Sequence, residues 1–118
     1  MDRGQKEELV ASMHQTFEDS AMVVVTHYSG MTVAEMGDLR SQMREAGASF
    51  KVTKNRLTRR ALEGTTYSSL SDMFIGPTAI AYSDDPVAAA KVAVKFAKKN
   101  DKLIVLGGAL GKDLLDVN

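Results

Sequence analysis

The sequence predicts an α/β protein, close to the α+β type, in which a mixed sheet packs in layers against helices. Two observations predict this class. Short apolar segments rich in β-branched residues alternate with amphipathic helical segments, and the connections between them are short. The 118 residues are 44% hydrophobic and contain two prolines and no cysteine. This composition is typical of a packed domain that needs no disulfide, so we expect residues 1–118 to form a single domain.

The first part of the chain predicts two helices around a buried strand. Residues 5–18 repeat apolar side chains at helical spacing, and residues 21–28 are almost continuously apolar, as in a central strand. Thr32 and Glu35 have the spacing of a capping box for the second helix, which Gly47 ends. The predicted buried face of this second helix consists of Val33, Met36, Leu39, Met43 and Ala46.

A second strand and a third helix are predicted in the middle of the chain. Residues 49–53 alternate, so that Phe50 and Val52 point to one side of the strand. A short helix is predicted over residues 55–64. Residues 65–76 are predicted to form a turn or a short helix.

The last part of the chain predicts two strands that flank a helix. Residues 77–83 are apolar and read as a strand, and Asp85 with Pro86 is typical of the start of a helix. We expect that helix to continue through Lys99 and to be followed by a strand over residues 102–110. Its predicted buried stripe consists of Val87, Ala90, Val94 and Ala97.

No enzyme site is predicted. Residues 107–113, "GGALGKD", resemble a phosphate-binding P-loop, but Leu106 stands where that motif needs glycine and Asp113 where it needs Ser or Thr. His14 and His27 lack clustered carboxylates, so neither predicts a metal site or a proton relay. We expect no catalysis, no cofactor and no metal. The absence of a long apolar run and of a signal-peptide pattern predicts a cytoplasmic protein without a membrane partner.

Positive charge is concentrated in one segment. Positions 40–60 hold seven basic residues and one acidic residue, a net charge of +6, whereas the other residues hold eight basic and fourteen acidic ones, a net charge of −6. Lys54 and Asn55 lie where the strand meets the third helix, and helix N-termini attract phosphate. The seven basic residues are Arg40, Arg44, Lys51, Lys54, Arg56, Arg59 and Arg60.

This segment favours an RNA-binding function. No helix-turn-helix, zinc-finger or basic-zipper pattern is present to enter a DNA groove, and a compact basic corner suits the backbone of a folded RNA. Two alternatives stay open at this point. The segment could be an ordinary solvated charged face, or it could belong to a protein–protein adaptor that docks an acidic partner.

Three stretches of the sequence resemble a known family. "YSGMTVAEMGDLRSQMREAG", "FKVTKNRLTRRALEGT" and "FIGPTAIAYS" occur in this order. They resemble the bacterial ribosomal protein L-ten family, the stalk-base proteins of the large subunit. The resemblance runs from the first helix to about Asp113. The combination of Tyr-x-Gly-x-Thr, Lys-Asn-x-Leu-x-Arg-Arg-Ala and Gly-Pro-Thr is specific, whereas no single motif would be.

The resemblance implies a structural constituent of the large ribosomal subunit without catalytic activity. Members bind large-subunit rRNA at the GTPase-associated region, beside ribosomal protein L-eleven, and form the base of the stalk that recruits translation factors. Their C-terminal helix, which we expect to be absent from these 118 residues, carries dimers of the stalk protein L-seven/L-twelve. The resemblance places RNA contacts in a first loop on Tyr28, Ser29, Gly30, Met31 and Thr32. It places those of a second segment on Lys51, Thr53, Lys54, Asn55, Arg56, Arg59 and Arg60.

Overall fold

The structure, a computed structural model, describes residues 2–110 and 113–115. In chain order the elements are α1 (Arg3–Asp19), β1 (Met22–His27), α2 (Val33–Glu45), β2 (Ala48–Val52), α3 (Asn55–Leu62), a 3₁₀ helix (Ser68–Met73), β3 (Thr78–Ser83), α4 (Ala88–Lys99), β4 (Ile104–Leu110) and β5 (Asp113–Leu115). The predicted fold class, a sheet layered against helices, is confirmed. None of the helices in the described residues is both long and apolar enough to cross a lipid bilayer.

The strands form one sheet in the order β2-β3-β1-β4-β5. The sequence predicts a mixed sheet, but all four strand pairings of the described residues are antiparallel. The reason lies in the connections. β1 and β2 run in the same direction, yet β3 is inserted between them; in the same way β1 separates β3 from β4. Each helical crossover therefore skips one strand, and parallel strands never become neighbours.

Helices cover both faces of the sheet. On one face, α2 and α4 pack Leu39 and Phe96 against the side of β1 that carries Val24. On the other face, α1, α3 and the 3₁₀ helix pack residues such as Phe17 against the side that carries Val25. Because β1 buries both of its faces, it has no polar side, which explains its continuous apolar sequence.

The predicted buried faces of two helices are partly wrong. In α2, Met36, Leu39 and Met43 are buried as predicted, but Val33 is 90% exposed and Ala46 is exposed. The predicted stripe of α4 is only partly buried, since Ala90 and Ala97 pack against the core but Val87 is 58% and Val94 37% exposed. The residues that α4 buries are Ala88, Ala89, Ala93 and Phe96. Apolar residues occupy a wide arc of α4 opposite its lysines, so their spacing does not single out one face, and the large ring of Phe96 decides which side is buried.

Four loops lie at the same end of the sheet. His27, the last residue of β1, pairs with Thr78 at the start of β3 and with Ile104 at the start of β4. Val52, the last residue of β2, pairs with Ala79. We call this end of the sheet the loop end. Its four loops comprise residues 28–32, 53–54, 74–77 and 100–103.

Candidate nucleic-acid interface

The helix α3 starts at the loop end without a side-chain cap. Its N-cap residue is Lys54, whose side chain makes no capping hydrogen bond. By contrast, Asp2 caps α1, Thr32 caps α2, and Asp85 accepts hydrogen bonds from amides at the start of α4. The first N–H groups of a helix carry the positive end of its dipole and need acceptors. The start of α3 is therefore suited to bind an anion.

The cations of segment 40–60 form no ion pair within the described residues. Ion pairs there join Arg3 to Glu7, His14 to Glu18, and Lys102 to Glu35. Arg56 and Arg60 are exposed on α3, whose inner side buries Leu57 and Ala61. Their guanidinium groups are thus directed to solvent with no carboxylate in contact, which leaves their full charge available to a partner.

Three further cations line β2, which is one of the two edge strands of the sheet. Arg40 and Arg44 lie beside Phe50, on the side that α2 covers. Lys51 projects from the opposite side of the strand and lies near Tyr82. Lys51 is exposed, but its side chain lies along the α1 side of the sheet, near Met13 and Phe17, rather than at the start of α3. The basic surface therefore extends from the loop end along the sheet edge, where cations also discourage pairing with other strands.

The first predicted loop is partly packed and partly open. Tyr28 and Met31 are half-buried and pack against the core under α2 and α4. Ser29 and Gly30 are exposed, and Gly30 has a φ of +86°, a conformation that favours glycine. The Thr32 hydroxyl accepts a hydrogen bond from the first turn of α2 at 3.1 Å and so serves as its cap.

Lys102 adds a cation beside this loop that the sequence did not identify. Its Nζ contacts Glu35 Oε1 at 3.2 Å, and its aliphatic stem lies next to Gly30. Glu35 also accepts hydrogen bonds from the Thr32 N–H, at 2.9 Å, and from the Asn100 side chain. These hydrogen bonds, the one from the Thr32 backbone first, lower the pKa of Glu35 to about 2. No sequence signal pointed to Lys102, because the chain topology alone brings it to the loop end.

Two predicted RNA-contact residues of the second segment also hold the loop at residues 74–77. Asn55 Nδ2 donates to the Gly76 carbonyl at 2.8 Å, and Arg59 Nη1 donates to the Phe74 carbonyl at 2.6 Å. Part of their hydrogen-bonding capacity is therefore used inside the protein. Arg59 is nevertheless exposed, and a guanidinium has five N–H donors, so it can also reach a ligand.

Two buried side-chain atoms at the same corner have no hydrogen-bond partner among the described residues. They are Thr53 Oγ1 and Asn55 Oδ1. Buried polar atoms are nearly always hydrogen-bonded, so a pair without partners is unusual.

Comparison with known proteins agrees with the resemblance seen in the three motifs. Residues 1–98 match the family described as ribosomal protein L10. The chain belongs to the ribosomal protein L10 family. This membership makes it a ribosomal protein rather than an enzyme. The predicted family is thereby confirmed, whereas RNA contact at each of the residues predicted for it stays a prediction.

Individual members of the L10 family are similar to the chain along its whole length. The large ribosomal subunit protein uL10 of Paramagnetospirillum magneticum is 66% identical over 118 residues, which cover 100% of this chain and 69% of that protein. The uL10 protein of Parvibaculum lavamentivorans is 60% identical over 116 residues, 98% of this chain and 67% of that protein. That of Brucella canis is 54% identical over 118 residues, 100% of this chain and 69% of that protein.

Proposed function

We propose that this L10-family chain, a structural constituent of the large ribosomal subunit, holds large-subunit rRNA at the GTPase-associated region with the loop end of its sheet. The observation that carries the proposal is the convergence of unpaired cations on an uncapped helix start. Lys54 and Arg56 lie at the start of α3, Arg60 lies one turn after Arg56 on the same exposed side, and none of them forms an ion pair with the described residues. Such an arrangement binds phosphate through both charge and backbone amides.

Each group around α3 has its own proposed contact with the RNA. The amides of α3 and Lys54 bind one phosphate, while Arg56 and Arg60 bind phosphates further along the exposed side of the helix. Arg59 bridges the 74–77 loop and the RNA backbone, since one of its N–H groups is engaged with the loop and others are free to donate. Thr53 stands just before the start of α3, so it lies next to the bound phosphate, although its hydroxyl is buried.

The first loop provides a second point of contact. Ser29 and Gly30 are exposed and small, so an RNA backbone can approach the main chain closely there. Lys102 lies beside Gly30 and supplies a cation to the same contact. The first loop and the start of α3 follow strands that end at the same side of the sheet, so one folded RNA can touch both.

The other ribosomal neighbours follow from the family resemblance. Ribosomal protein L-eleven would lie beside the same region of rRNA. Dimers of the stalk protein L-seven/L-twelve would be carried on a C-terminal helix outside residues 1–118. We therefore assign no residue of this chain to the stalk dimers.

A triple substitution of Arg56, Arg59 and Arg60 with alanine tests the proposal. We expect it to weaken binding to a transcribed rRNA fragment that spans the GTPase-associated region by about 100-fold or more, because several phosphate contacts are lost together. The dependence of log K on log salt should also become shallower, by about one for each phosphate contact that is lost. Filter binding or fluorescence anisotropy across a salt series measures both quantities.

Lys91, Lys95 and Lys98 provide the matched control. They are three exposed cations on α4, so their replacement by alanine removes the same charge from a different surface. This variant should bind the rRNA fragment about as tightly as the parent. Equal binding by the Arg56/Arg59/Arg60 variant and the parent would show that the interface is wrongly assigned. Circular dichroism of each variant checks that the fold is retained.

A further inference from the structure

Large exposed apolar side chains gather at the loop end of the sheet. Among the described residues, six such side chains are exposed. Those at the loop end are Val33, Val52, Ile75 and Ile104. Of the other two, Val94 lies on α4 and Val87 directly precedes it. Single exposed apolar residues are ordinary, but four at one end of a small protein indicate a contact surface. They share this end with the unpaired cations around α3.

Ile75 lies in a loop whose backbone is held in place by hydrogen bonds to the rest of the protein. The four carbonyls of residues 74–77 all accept hydrogen bonds from the body of the molecule. In order along the loop, the donors are Arg59 Nη1 at 2.6 Å, His27 Nε2 at 2.7 Å, Asn55 Nδ2 at 2.8 Å and the Tyr28 N–H at 3.2 Å. A carbonyl can only accept, so the hydrogen of the His27 ring is on Nε2.

This anchoring determines what the loop presents to solvent. With its carbonyls turned inward, the loop projects the side chain of Ile75, which is 69% exposed. Gly76 has a φ of +79°, which allows the sharp turn directly after it. Two of the four anchors, Asn55 at the start and Arg59 one turn later, belong to α3. The loop therefore keeps Ile75 in a fixed place next to the proposed phosphate site.

We propose that the 74–77 loop is a third RNA-contacting element, in which Ile75 packs against the base or ribose of a nucleotide bound at the start of α3. This inference rests on the proposed rRNA-binding function and extends it from charge to shape. Folded RNA presents unstacked bases and ribose C–H groups that apolar side chains cover. In this arrangement Asn55 and Arg59 are positioning residues for the loop, because their side chains hold its carbonyls.

RNA fits this surface better than an apolar protein partner does. Ile75 lies in a loop that Arg59 itself holds, and Lys54 stands at the start of the same helix. Neither cation has a carboxylate partner among the described residues. A nucleotide satisfies both features at once, since its phosphate pairs with the cations and its base or ribose covers the isoleucine.

The substitution Ile75→Ser tests the inference, with Val87→Ser as its control. Val87 is 58% exposed and lies beside the opposite end of the sheet. Its substitution with serine therefore removes a similar apolar surface at a place away from the proposed RNA contact. We expect Ile75→Ser to weaken binding of the rRNA fragment by about tenfold at every salt concentration, as the loss of a buried aliphatic contact does. Because no charge is removed, the salt slope should equal that of the parent. Val87→Ser should bind as the parent does.

A photocrosslinking experiment provides an independent readout. A benzophenone amino acid at position 75 should crosslink to the rRNA fragment, and the same group at position 87 should not. Unchanged affinity of Ile75→Ser, or a crosslink from position 75 to a protein in assembled ribosomes instead of RNA, would overturn the inference. If the arginine triple variant still loses binding in that case, the proposed function stands without this third element. If the parent fails to bind the fragment, both fail.

Discussion

The carboxylate of Glu35 connects two of the loops at the loop end of the sheet. It accepts hydrogen bonds from the Thr32 N–H and from the side chains of Asn100 and Lys102. It thereby holds the first loop against the loop that precedes β4. The negative charge of Glu35 also partly offsets the positive charge of Lys102, the cation that lies beside Gly30.

The pKa of Glu35 leads to a prediction about acid stability. Hydrogen bonds, the one from Thr32 first, lower its pKa from 4.5 to about 2 in the folded protein. The stabilisation is fully present above the unfolded pKa of about 4.5 and is lost as pH falls towards 2, because the unfolded chain takes up its proton first. Glu35→Gln should therefore be less stable than the parent at pH 6, and the difference should shrink by pH 2.5. Urea unfolding at both pH values measures it.

Asp38→Asn is the control for this experiment. Asp38 is exposed on the same helix and hydrogen-bonds Gln42, one turn further on. Its substitution should change the free energy of unfolding much less at pH 6. A Glu35→Gln variant whose deficit is the same at both pH values would contradict the pKa assignment.

At the scale of elements, close contact between β1 and β4 depends on a glycine. A Cβ built on Gly108 would lie 2.7 Å from the Val23 carbonyl oxygen and 3.3 Å from Val24 Cα. Both neighbours are backbone atoms of the central strand, which cannot move without disturbing its pairing with β3. The glycine is therefore required by packing between strands and not by a positive φ.

Alanine substitutions at two glycines should change stability in opposite directions. We expect Gly108→Ala to lower the free energy of unfolding by about 1–3 kcal/mol, as overpacking does. Gly37 lies on the exposed face of α2 with no atom within 4 Å of a built Cβ. Gly37→Ala should raise the free energy of unfolding by about 0.5–1 kcal/mol, because alanine loses less conformational entropy than glycine when the helix forms. Denaturant unfolding measures both, and equal effects would contradict the packing argument.

At the scale of the whole molecule, the charge distribution predicts how the protein is oriented on RNA. Positions 40–60 carry a net charge of +6, and the rest of the chain balances it with −6. A neutral protein with this asymmetry is attracted to a polyanion through one surface and repelled through the others. We expect the loop end and the adjoining sheet edge to form that attractive surface.

Salt dependence and crosslinking together test this orientation. If about five phosphates are neutralised, a fourfold rise in salt should weaken binding of the rRNA fragment by about two to three orders of magnitude. Peptides crosslinked to purified ribosomal RNA should come mainly from residues 28–32, 51–60 and 74–77. Crosslinks that come mainly from α4 would contradict the orientation, because α4 lies in the part of the chain whose net charge is negative. Salt-independent binding would contradict the electrostatic basis of the interface.

Much of the secondary structure could be predicted because its signals are local. The capping box of Thr32 and Glu35 forms as its spacing indicates, and β1 is buried on both faces as its apolar run implies. Asp85 accepts hydrogen bonds from the amides of Val87 and Ala88, although α4 begins at Ala88, slightly later than predicted. In each case the deciding interactions lie within a few residues along the chain.

Which side of α4 is buried could not be predicted in this way. Its alanines and valines satisfy more than one helical stripe, and only packing of Phe96 against the sheet distinguishes them. The strand order could not be predicted from the sequence either. A helical crossover predicts that β1 and β2 are parallel, but it does not predict that β3 is inserted between them.

The sequence by itself determined the family, the class of fold and the basic segment, because motifs, periodicity and charge are properties of neighbouring residues. Only the tertiary structure decided that the first loop, the start of α3, Lys102 and the Ile75 loop lie at one end of the sheet. The physical reason is that this grouping depends on strand order and register. These are set by burial of both sheet faces between residues far apart in the chain.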